Sequence, residues 1–407
     1  MRVVRIFLLL VVIAAFPLAE SCPAQAKALA AEDSLRIRLL EHYLHLSDLA
    51  DLALSGNPTD NSNYRDETSV RAYPQFFVDS YAVRALAVAA DLSGRKQYMR
   101  ACRAWADRML DYQERMVPRG AYYMNYHRKP GESEGEWFVA DCGSIAMAVL
   151  AVAVRCDDSA SRDKYLASVK SFADLVLGNY VRPSGGVTDG YWHLSDKEWW
   201  CSTALYTALA LQLHGITGEP RYLAAALAGI DWLLGFEYDG TILYRFEDGA
   251  PTTIFYILEA YVSALPYLEQ GSERRRKVVE KLSASVEWMA DTQNRDGTWD
   301  YSPDNWGVKL GGLPCHMLIY LRHCGEDPRA VFPIISTSGY AVSFSRFIEQ
   351  SAARALGFFS SQGLKKSDKK FTQQDAFTMM SYGELLCPGE LYSKKNAAFP
   401  FTGGEKR

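Results

Sequence analysis

The chain has no excess of charge of either sign. Its 44 lysine and arginine residues stand against 48 aspartate and glutamate residues, which leaves a formal net charge of −4. Nucleic-acid-binding domains carry a clustered basic surface that attracts the phosphate backbone. The balanced charge argues against a protein of that class, and no nucleic-acid partner is expected.

Long apolar runs are missing beyond the N-terminus. The run at residues 6–16 follows a cationic tip and is too short to cross a bilayer comfortably. It is followed by Ala-Gln-Ala at 24–26, the small-x-small pattern of a signal peptidase site. We therefore predict a signal peptide at 1–26, export to the periplasm or the extracellular space, and no membrane span in the mature chain. A lipoprotein anchored on Cys22 is the weaker alternative, because a glutamate and a serine precede it where small apolar residues are expected.

Cysteines are few, and they lack the spacing of a metal site. One of the eight lies in the predicted signal peptide, and the odd number that remains argues against a complete disulfide framework. No Cys-x-x-Cys pair or cysteine–histidine cluster suggests zinc, and the acidic loops lack calcium-ligand spacing. No glycine-rich phosphate loop follows a strand pattern. We therefore expect neither a metal nor an organic cofactor.

What the sequence does contain is a repeated pair of helices. An apolar helix followed by an amphipathic one covers residues 76–110, and the pattern recurs at 137–177, 198–234 and 252–293. In the first three copies a tyrosine of the second helix is followed nine residues later by an aspartate, in the pairs Tyr98/Asp107, Tyr165/Asp174 and Tyr222/Asp231. The helical hairpins are therefore in register.

The two helices of each hairpin predict two layers. A helix that is apolar on every side must be enclosed by neighbours, so the first helices form an inner ring and the second helices an outer, half-solvated ring. Open α-solenoids have shorter and more uniform repeats, and the long, dissimilar connections here favour closure. We predict an all-α fold, an (α/α)6 toroid at 27–331, with C-terminal helices and a tail at 332–407 capping it.

The long connections run from each outer helix to the next inner helix, so they gather on one face of the toroid, its mouth. Each begins with glycine and then alternates polar with aromatic residues, at 120–127, 185–193, 240–247 and 297–301. Short β-hairpins fit this spacing. Since these loops surround the opening of the toroid, their side chains are the candidates for binding a ligand.

Asp141 is the first candidate for chemistry. It lies at the start of an apolar inner helix, where an aspartate also serves as a helix cap, and that role is the alternative. Asp79 takes the equivalent place in the previous repeat, so the two carboxylates can face each other across the pocket. Such a pair can hold one protonated acid and one ionised base.

Further candidates come from the aromatic loops. His127 and His193 each end such a loop and suit proton transfer or hydrogen bonding to a ligand. Aromatic rings stack on sugars, and arginine suits a substrate carboxylate, although tryptophans equally pack loops down, as at least two of the four at 137, 192, 199 and 200 are expected to do. The predicted substrate-binding residues are Tyr123, Tyr126, Arg128, Trp137, Asp189, Trp192, Trp199, Trp200, Tyr244, Arg245 and Trp299.

With these hairpins and loops, the chain resembles the six-hairpin glycosidase superfamily, nearest to the unsaturated glucuronyl and rhamnogalacturonyl hydrolases. Uronate epimerases and polysaccharide lyases of similar toroidal fold stand behind them. The resemblance implies that Asp141 protonates the substrate double bond and a water completes the hydration, with Asp79 as the second acid. The family's Asp-(Gly/Asp/Asn)-Met-Met sequence reads Asp-Cys-Gly-Ser here, at 141–144.

Three functions remain open at this point, each with an oligosaccharide or polysaccharide as the partner. The first is a hydrolase of uronic-acid-containing oligosaccharides that depends on its carboxylates. The second is a uronate lyase or epimerase, in which Tyr126 and His127 abstract the proton next to the uronate carboxyl group. The third is a noncatalytic glycan-binding protein of a polysaccharide export pathway.

Overall fold

The structure is a computed structural model, and it describes residues 23–55, 70–71, 73, 75–124, 137–190, 197–235, 252–291 and 370–387. The chain divides into two compact units. Of the first, Met1–Glu41, the described part is the beginning of helix α1 (Pro23–Ser55). The second, His42–Arg407, holds the end of α1 and every other described element. Within the described ranges, no helix is long and apolar enough to cross a membrane.

The four predicted hairpins are present in the second unit. Each inner helix is followed by its outer partner, and a short 3-10 turn, Leu265–Tyr267, intervenes in the last pair. The pairs are α2 (Phe76–Ser93) with α3 (Lys96–Gln113), α4 (Val139–Ala153) with α5 (Ser159–Asn179), α6 (Trp200–Thr217) with α7 (Pro220–Leu234), and α8 (Thr252–Ala264) with α9 (Glu273–Asp291). A further helix, α10 (Gln373–Leu386), follows far along the chain.

Burial separates the two layers as predicted. Every residue of α4 is buried, whereas α3 and α5 bury only one stripe each. The inner helices pack side by side in the order α10, α2, α4, α6, α8, and α3, α5, α7 and α9 lie outside them. The toroid of helical hairpins is therefore confirmed. Helix α10, the described part of the segment 332–407, lies beside α2 as a member of the inner ring.

The repeated tyrosine and aspartate connect consecutive outer helices. Each tyrosine hydroxyl donates a hydrogen bond to the aspartate of the outer helix before it: Tyr98 to Asp48 at 2.6 Å, Tyr165 to Asp107 at 2.9 Å and Tyr222 to Asp174 at 2.7 Å. In the fourth hairpin the equivalent contact is made by an arginine: Arg274 donates to both carboxylate oxygens of Asp231. The Asp48 contact makes the end of α1 the outer helix that precedes α3.

The glycines that open the mouth loops are required by a close approach. Gly120 has a φ of +98°, and a Cβ there would lie 2.7 Å from the Ser171 carbonyl oxygen of α5. One repeat later, Gly185 has a φ of +93°, and its Cβ would lie 2.3 Å from the Ala228 carbonyl oxygen of α7. Each loop therefore presses its glycine against the outer helix of the next hairpin, which fixes where the rest of the loop lies.

Replacing Gly185 tests this contact. We expect Gly185→Ala to lower the free energy of unfolding by about 2–4 kcal/mol, because the alanine is strained at positive φ and also collides with α7. Gly218→Ala is the matched control: it shares the positive φ, +72°, with nothing within 4 Å of its Cβ, and costs about 1 kcal/mol. Urea unfolding measures both, and equal losses would contradict the close approach.

Candidate functional site

The start of α4 brings together two of the predicted residues. Asp141 lies in the first turn of α4 and is 9% exposed. The backbone amide of Val139 donates to the carbonyl oxygen of Asp189 at 3.1 Å, and Phe138 forms a β-bridge with Gly190. This pairing holds the loop after α5 against the start of α4. Asp189, 4% exposed, is thereby placed at the same helix end as Asp141.

An aromatic row crosses from α6 to α8. Trp199 and Trp200, at the start of α6, have ring centroids 6.2 Å apart and planes 29° apart. Trp200 and Tyr256 of α8 follow at 6.5 Å and 23°. The Lys197 ammonium lies 5.7 Å from the Trp199 ring, at the outer end of the row. Three rings with similarly oriented planes therefore form a row at this helix end, in which Trp200 and Tyr256 are buried and Trp199 is half-buried.

Tyr256 joins this row to Asp141. The Asp141 charge acts on the Tyr256 hydroxyl, which also hydrogen-bonds to Tyr81 of α2. Burial raises the pKa of Tyr256 well above its ordinary value, and Tyr81, Cys201 and Asp141 raise it further. The hydroxyl therefore stays protonated and acts as a donor. The aromatic pattern of the loops does not include Tyr256, because this residue lies inside an apolar helix.

Further hydroxyl and aromatic groups meet at the centre of the inner ring. Tyr81 shares a 3.2 Å hydrogen bond with the Ser144 Oγ of α4, and both side chains are fully buried. The ring of Phe377, from α10, packs against Tyr81 with centroids 4.8 Å apart. Helices α2, α4, α8 and α10 thus each send a side chain to the same place.

An ion pair lies one helical turn below these hydroxyls. Arg84 of α2 pairs with Glu259 of α8, and both side chains are fully buried. Arg84 follows Tyr81 by one turn, and Glu259 follows Tyr256 by one turn. Helices α4 and α6 stand between α2 and α8 in the inner ring. The ion pair therefore crosses the interior of the ring beneath the candidate site.

Asp79 lies elsewhere, in the layer between α2 and α3. Its carboxylate pairs with Arg71 and accepts a 3.0 Å hydrogen bond from the Trp105 indole of α3, and no part of its side chain is exposed. Burial raises its pKa, against the lowering effect of Arg71 and Trp105. These contacts make Asp79 an anchor for the segment before α2.

The register of the inner helices explains why Asp79 does not meet Asp141. Asp79 is the fourth residue after the N-cap of α2, whereas Asp141 is the third after the N-cap of α4. The fourth position is occupied in α4 by Cys142, whose thiol donates to the Tyr122 carbonyl oxygen at 3.3 Å, and in α6 by Thr203, whose hydroxyl accepts from the Val187 amide at 2.9 Å. All three residues fasten the preceding segment, and the predicted face-to-face pair does not form.

Two predicted aromatic residues pack the loops. Tyr123 is 3% exposed and makes edge contacts with Phe76 and Tyr112, at 5.6 and 5.2 Å between centroids. Trp137 is 1% exposed and packs edge-on against Tyr180 at 5.2 Å. Loop packing was the alternative considered for Trp137, and its contacts match that role.

The remaining predicted residues lie outside the described part of the chain. They are Tyr126, His127, Arg128, Trp192, His193, Tyr244, Arg245 and Trp299. Among the residues that are described, no group of three or more His, Cys, Asp or Glu side chains is arranged to hold a metal ion. Among the buried cysteines of these ranges, Cys102, Cys142 and Cys156 are free thiols.

Neither a family model nor a curated protein matches the chain. A solved structure from Salmonella enterica subsp. enterica serovar Paratyphi A, described as a possible member of the GH105 family, matches with a TM-score of 0.58 and 11% identity, over 85% of this chain and 94% of that one. A structure described as a polysaccharide lyase matches with a TM-score of 0.51 and 12% identity, over 84% and 97%. At such identity the likeness concerns the fold, and it confirms the six-hairpin glycosidase fold that the resemblance implied.

Paired substitutions separate the anchor from the candidate acid. We expect Asp79→Asn to lower the free energy of unfolding by about 3–5 kcal/mol, because it leaves the Arg71 charge buried without its carboxylate. Asp141→Asn is the matched change at the mouth, where the carboxylate lies at a helix start and is partly exposed, and we expect a smaller loss there. Urea unfolding compares the two, and similar losses would refute the anchoring role of Asp79.

Proposed function

We propose that the protein is a glycan-processing enzyme, a glycoside hydrolase that acts on uronic-acid-containing oligosaccharides with Asp141 as its general acid. The observation that carries this proposal is the position of Asp141 at the start of an inner helix, where its charge acts on the Tyr256 hydroxyl at one end of the aromatic row of Trp199, Trp200 and Tyr256. A carboxyl group that can move a proton and aromatic faces that can receive a sugar are what such a reaction requires.

The proposed reaction uses few groups. Asp141 gives its proton to C4 of the double bond in an unsaturated uronate, water adds at C5, and the proton that this water loses returns to Asp141. The resulting hemiketal opens to a ketone, and the hemiacetal that this leaves at C1 collapses to an aldehyde and releases the second sugar as an alcohol. Tyr256 donates a hydrogen bond near the reacting atoms, and Trp199, which is less buried than Trp200 and Tyr256, supports the face of the sugar ring. Asp189 lies at the same helix end and is a candidate for holding a sugar hydroxyl or a water. Asp79 takes no part, because its side chain is fully buried between α2 and α3, where Oδ2 binds Arg71 and Trp105.

A lyase is the second candidate, because one solved structure of the same fold is described as a polysaccharide lyase. In that reaction a residue must remove the proton next to the uronate carboxyl group. Tyr256 is poorly suited to this step, since its raised pKa keeps it protonated. A lyase would therefore depend on Tyr126 and His127, the pair that the sequence indicates for removing this proton.

The deciding measurement is the ultraviolet absorbance of uronic-acid oligosaccharides, both unsaturated and saturated, during incubation with the purified chain from Lys27 onward. We expect the absorbance of the unsaturated substrates to fall, and Asp141→Asn to reduce that rate at least a hundredfold. Ser202→Ala, at the equivalent third position of α6, serves as the control. Rising absorbance would assign a lyase instead, and binding without any change would assign a noncatalytic glycan-binding protein.

We also propose that the protein is exported, on the strength of the cationic tip, apolar run and Ala-Gln-Ala site in residues 1–26. Cleavage after residue 26 leaves a chain that begins at Lys27. Intact-mass measurement of the secreted or periplasmic protein tests this start, and a lipid adduct on Cys22 would assign the lipoprotein instead.

A further inference from the structure

We propose that Arg84 and Glu259 are positioning residues of the site: through Tyr81 they fix the Tyr256 hydroxyl beside Asp141. The contacts form a connected route through the ring. The ion pair lies one helical turn below the two phenols, Tyr81 hydrogen-bonds to Tyr256, and the charge of Asp141 acts on the Tyr256 hydroxyl. The proposal goes beyond the assignment of Asp141 as the acid, and it rests on the proposed function only where activity is measured.

Stability does not account for the ion pair. Removing two charges from water costs several kcal/mol each, and the mutual attraction offsets this only when the remaining polar atoms are also satisfied. The Oε2 atom of Glu259 is buried and accepts no hydrogen bond from the described residues. Proteins in which apolar residues of similar size replace a buried ion pair are often equally stable or more stable. Arg84 and Glu259 are therefore better explained by what they do to their neighbours.

The groups closest to this ion pair along the two helices are the phenols of Tyr81 and Tyr256. Each member of the pair is one helical turn from a phenol of its own helix, Arg84 from Tyr81 and Glu259 from Tyr256. The charges of Glu259 and Arg84 both act on the Tyr81 hydroxyl. Since the pair ties α2 to α8, it also fixes the distance across which Tyr81 and Tyr256 meet. A shift of the two helices would separate their hydroxyls.

The other neighbours of Tyr81 leave its hydroxyl little freedom. Ser144 holds it from α4, and Phe377 packs against its ring from α10. On the opposite side, Tyr256 is held against Trp200. The hydroxyl of Tyr256 is thus oriented by Tyr81, and the charge of Asp141 acts on it. A proton-transfer site loses rate steeply when such a group moves by about 1 Å.

The test replaces the pair as a unit, with Arg84→Met and Glu259→Met together, because either single change leaves a buried charge. We expect the double variant to unfold at a urea concentration equal to or above that of the unchanged chain. The matched control is Arg155→Met with Asp91→Asn. That pair, 2.9 Å apart, links the far ends of α2 and α4, away from Asp141.

The first readout requires no substrate. Tyrosine labelled with carbon-13 at Cζ gives one resonance per phenol, and Tyr256→Phe assigns the resonance of Tyr256. We expect this resonance to move in the Arg84→Met/Glu259→Met variant and in Tyr81→Phe, and to stay in the Arg155→Met/Asp91→Asn control. Tyr81→Phe keeps the experiment decisive even if the double variant fails to fold. A Tyr256 resonance that does not respond to Tyr81→Phe would overturn the proposal.

The second readout is the hydrolysis of unsaturated uronates. We expect the Arg84→Met/Glu259→Met variant to lose about tenfold to a hundredfold in kcat with little change in KM, and the control to keep both. Unchanged kcat in the folded double variant would overturn the positioning role. If the unchanged chain has no such activity, the proposed function fails, and the resonance of Tyr256 alone decides on the positioning.

Discussion

The closed interior of the inner ring is the constraint on which the site depends. Inner helices are buried on all sides, so every polar side chain they carry must find its partner inside the ring or face the mouth. Arg84 and Glu259 meet this requirement across the ring, between helices that are not neighbours. The hydroxyls of Tyr81, Ser144 and Tyr256 meet it one turn nearer to the mouth. These five polar residues of otherwise apolar helices thus lie deeper in the ring than the helix start that carries Asp141.

The outer layer determines how the mouth is built around this interior. Tyrosine–aspartate hydrogen bonds hold consecutive outer helices in the same register, so each loop leaves its outer helix at the same height. Gly120 and Gly185 then bring their loops against the following hairpin. Position four of each inner helix, whether Asp79, Cys142 or Thr203, fastens the incoming segment. In the sequence Asp-(Gly/Asp/Asn)-Met-Met of the unsaturated glucuronyl hydrolases, the second position corresponds to Cys142 here, whose thiol makes this contact.

The sequence predicted the fold better than the site, and the reason is the range of the contacts. Hairpins, layers and mouth loops follow from local periodicity, which a sequence displays directly. The Arg84–Glu259 pair joins residues 175 apart, and nothing local relates them. Asp79 and Asp141 both lie at the start of apolar helices, and this similarity predicts that their carboxylates face each other. A register difference of one residue sends the two side chains to different layers instead. Tyr256 carried a usable signal, since a tyrosine three residues before a glutamate is unusual in an apolar inner helix.

The separation of Asp79 from Asp141 bears on the chemistry. Hydrolysis of an ordinary glycosidic bond needs two carboxyl groups, at a spacing that sets the stereochemical outcome. Hydration of an unsaturated uronate needs one acid that protonates the double bond, followed by water. A mouth in which the charge of Asp141 acts on a protonated phenol, while Asp79 is buried with Arg71 and Trp105, is better matched to the second reaction. For the first reaction the second carboxylate must come from another residue, and Asp189 is the described carboxylate at the same helix end.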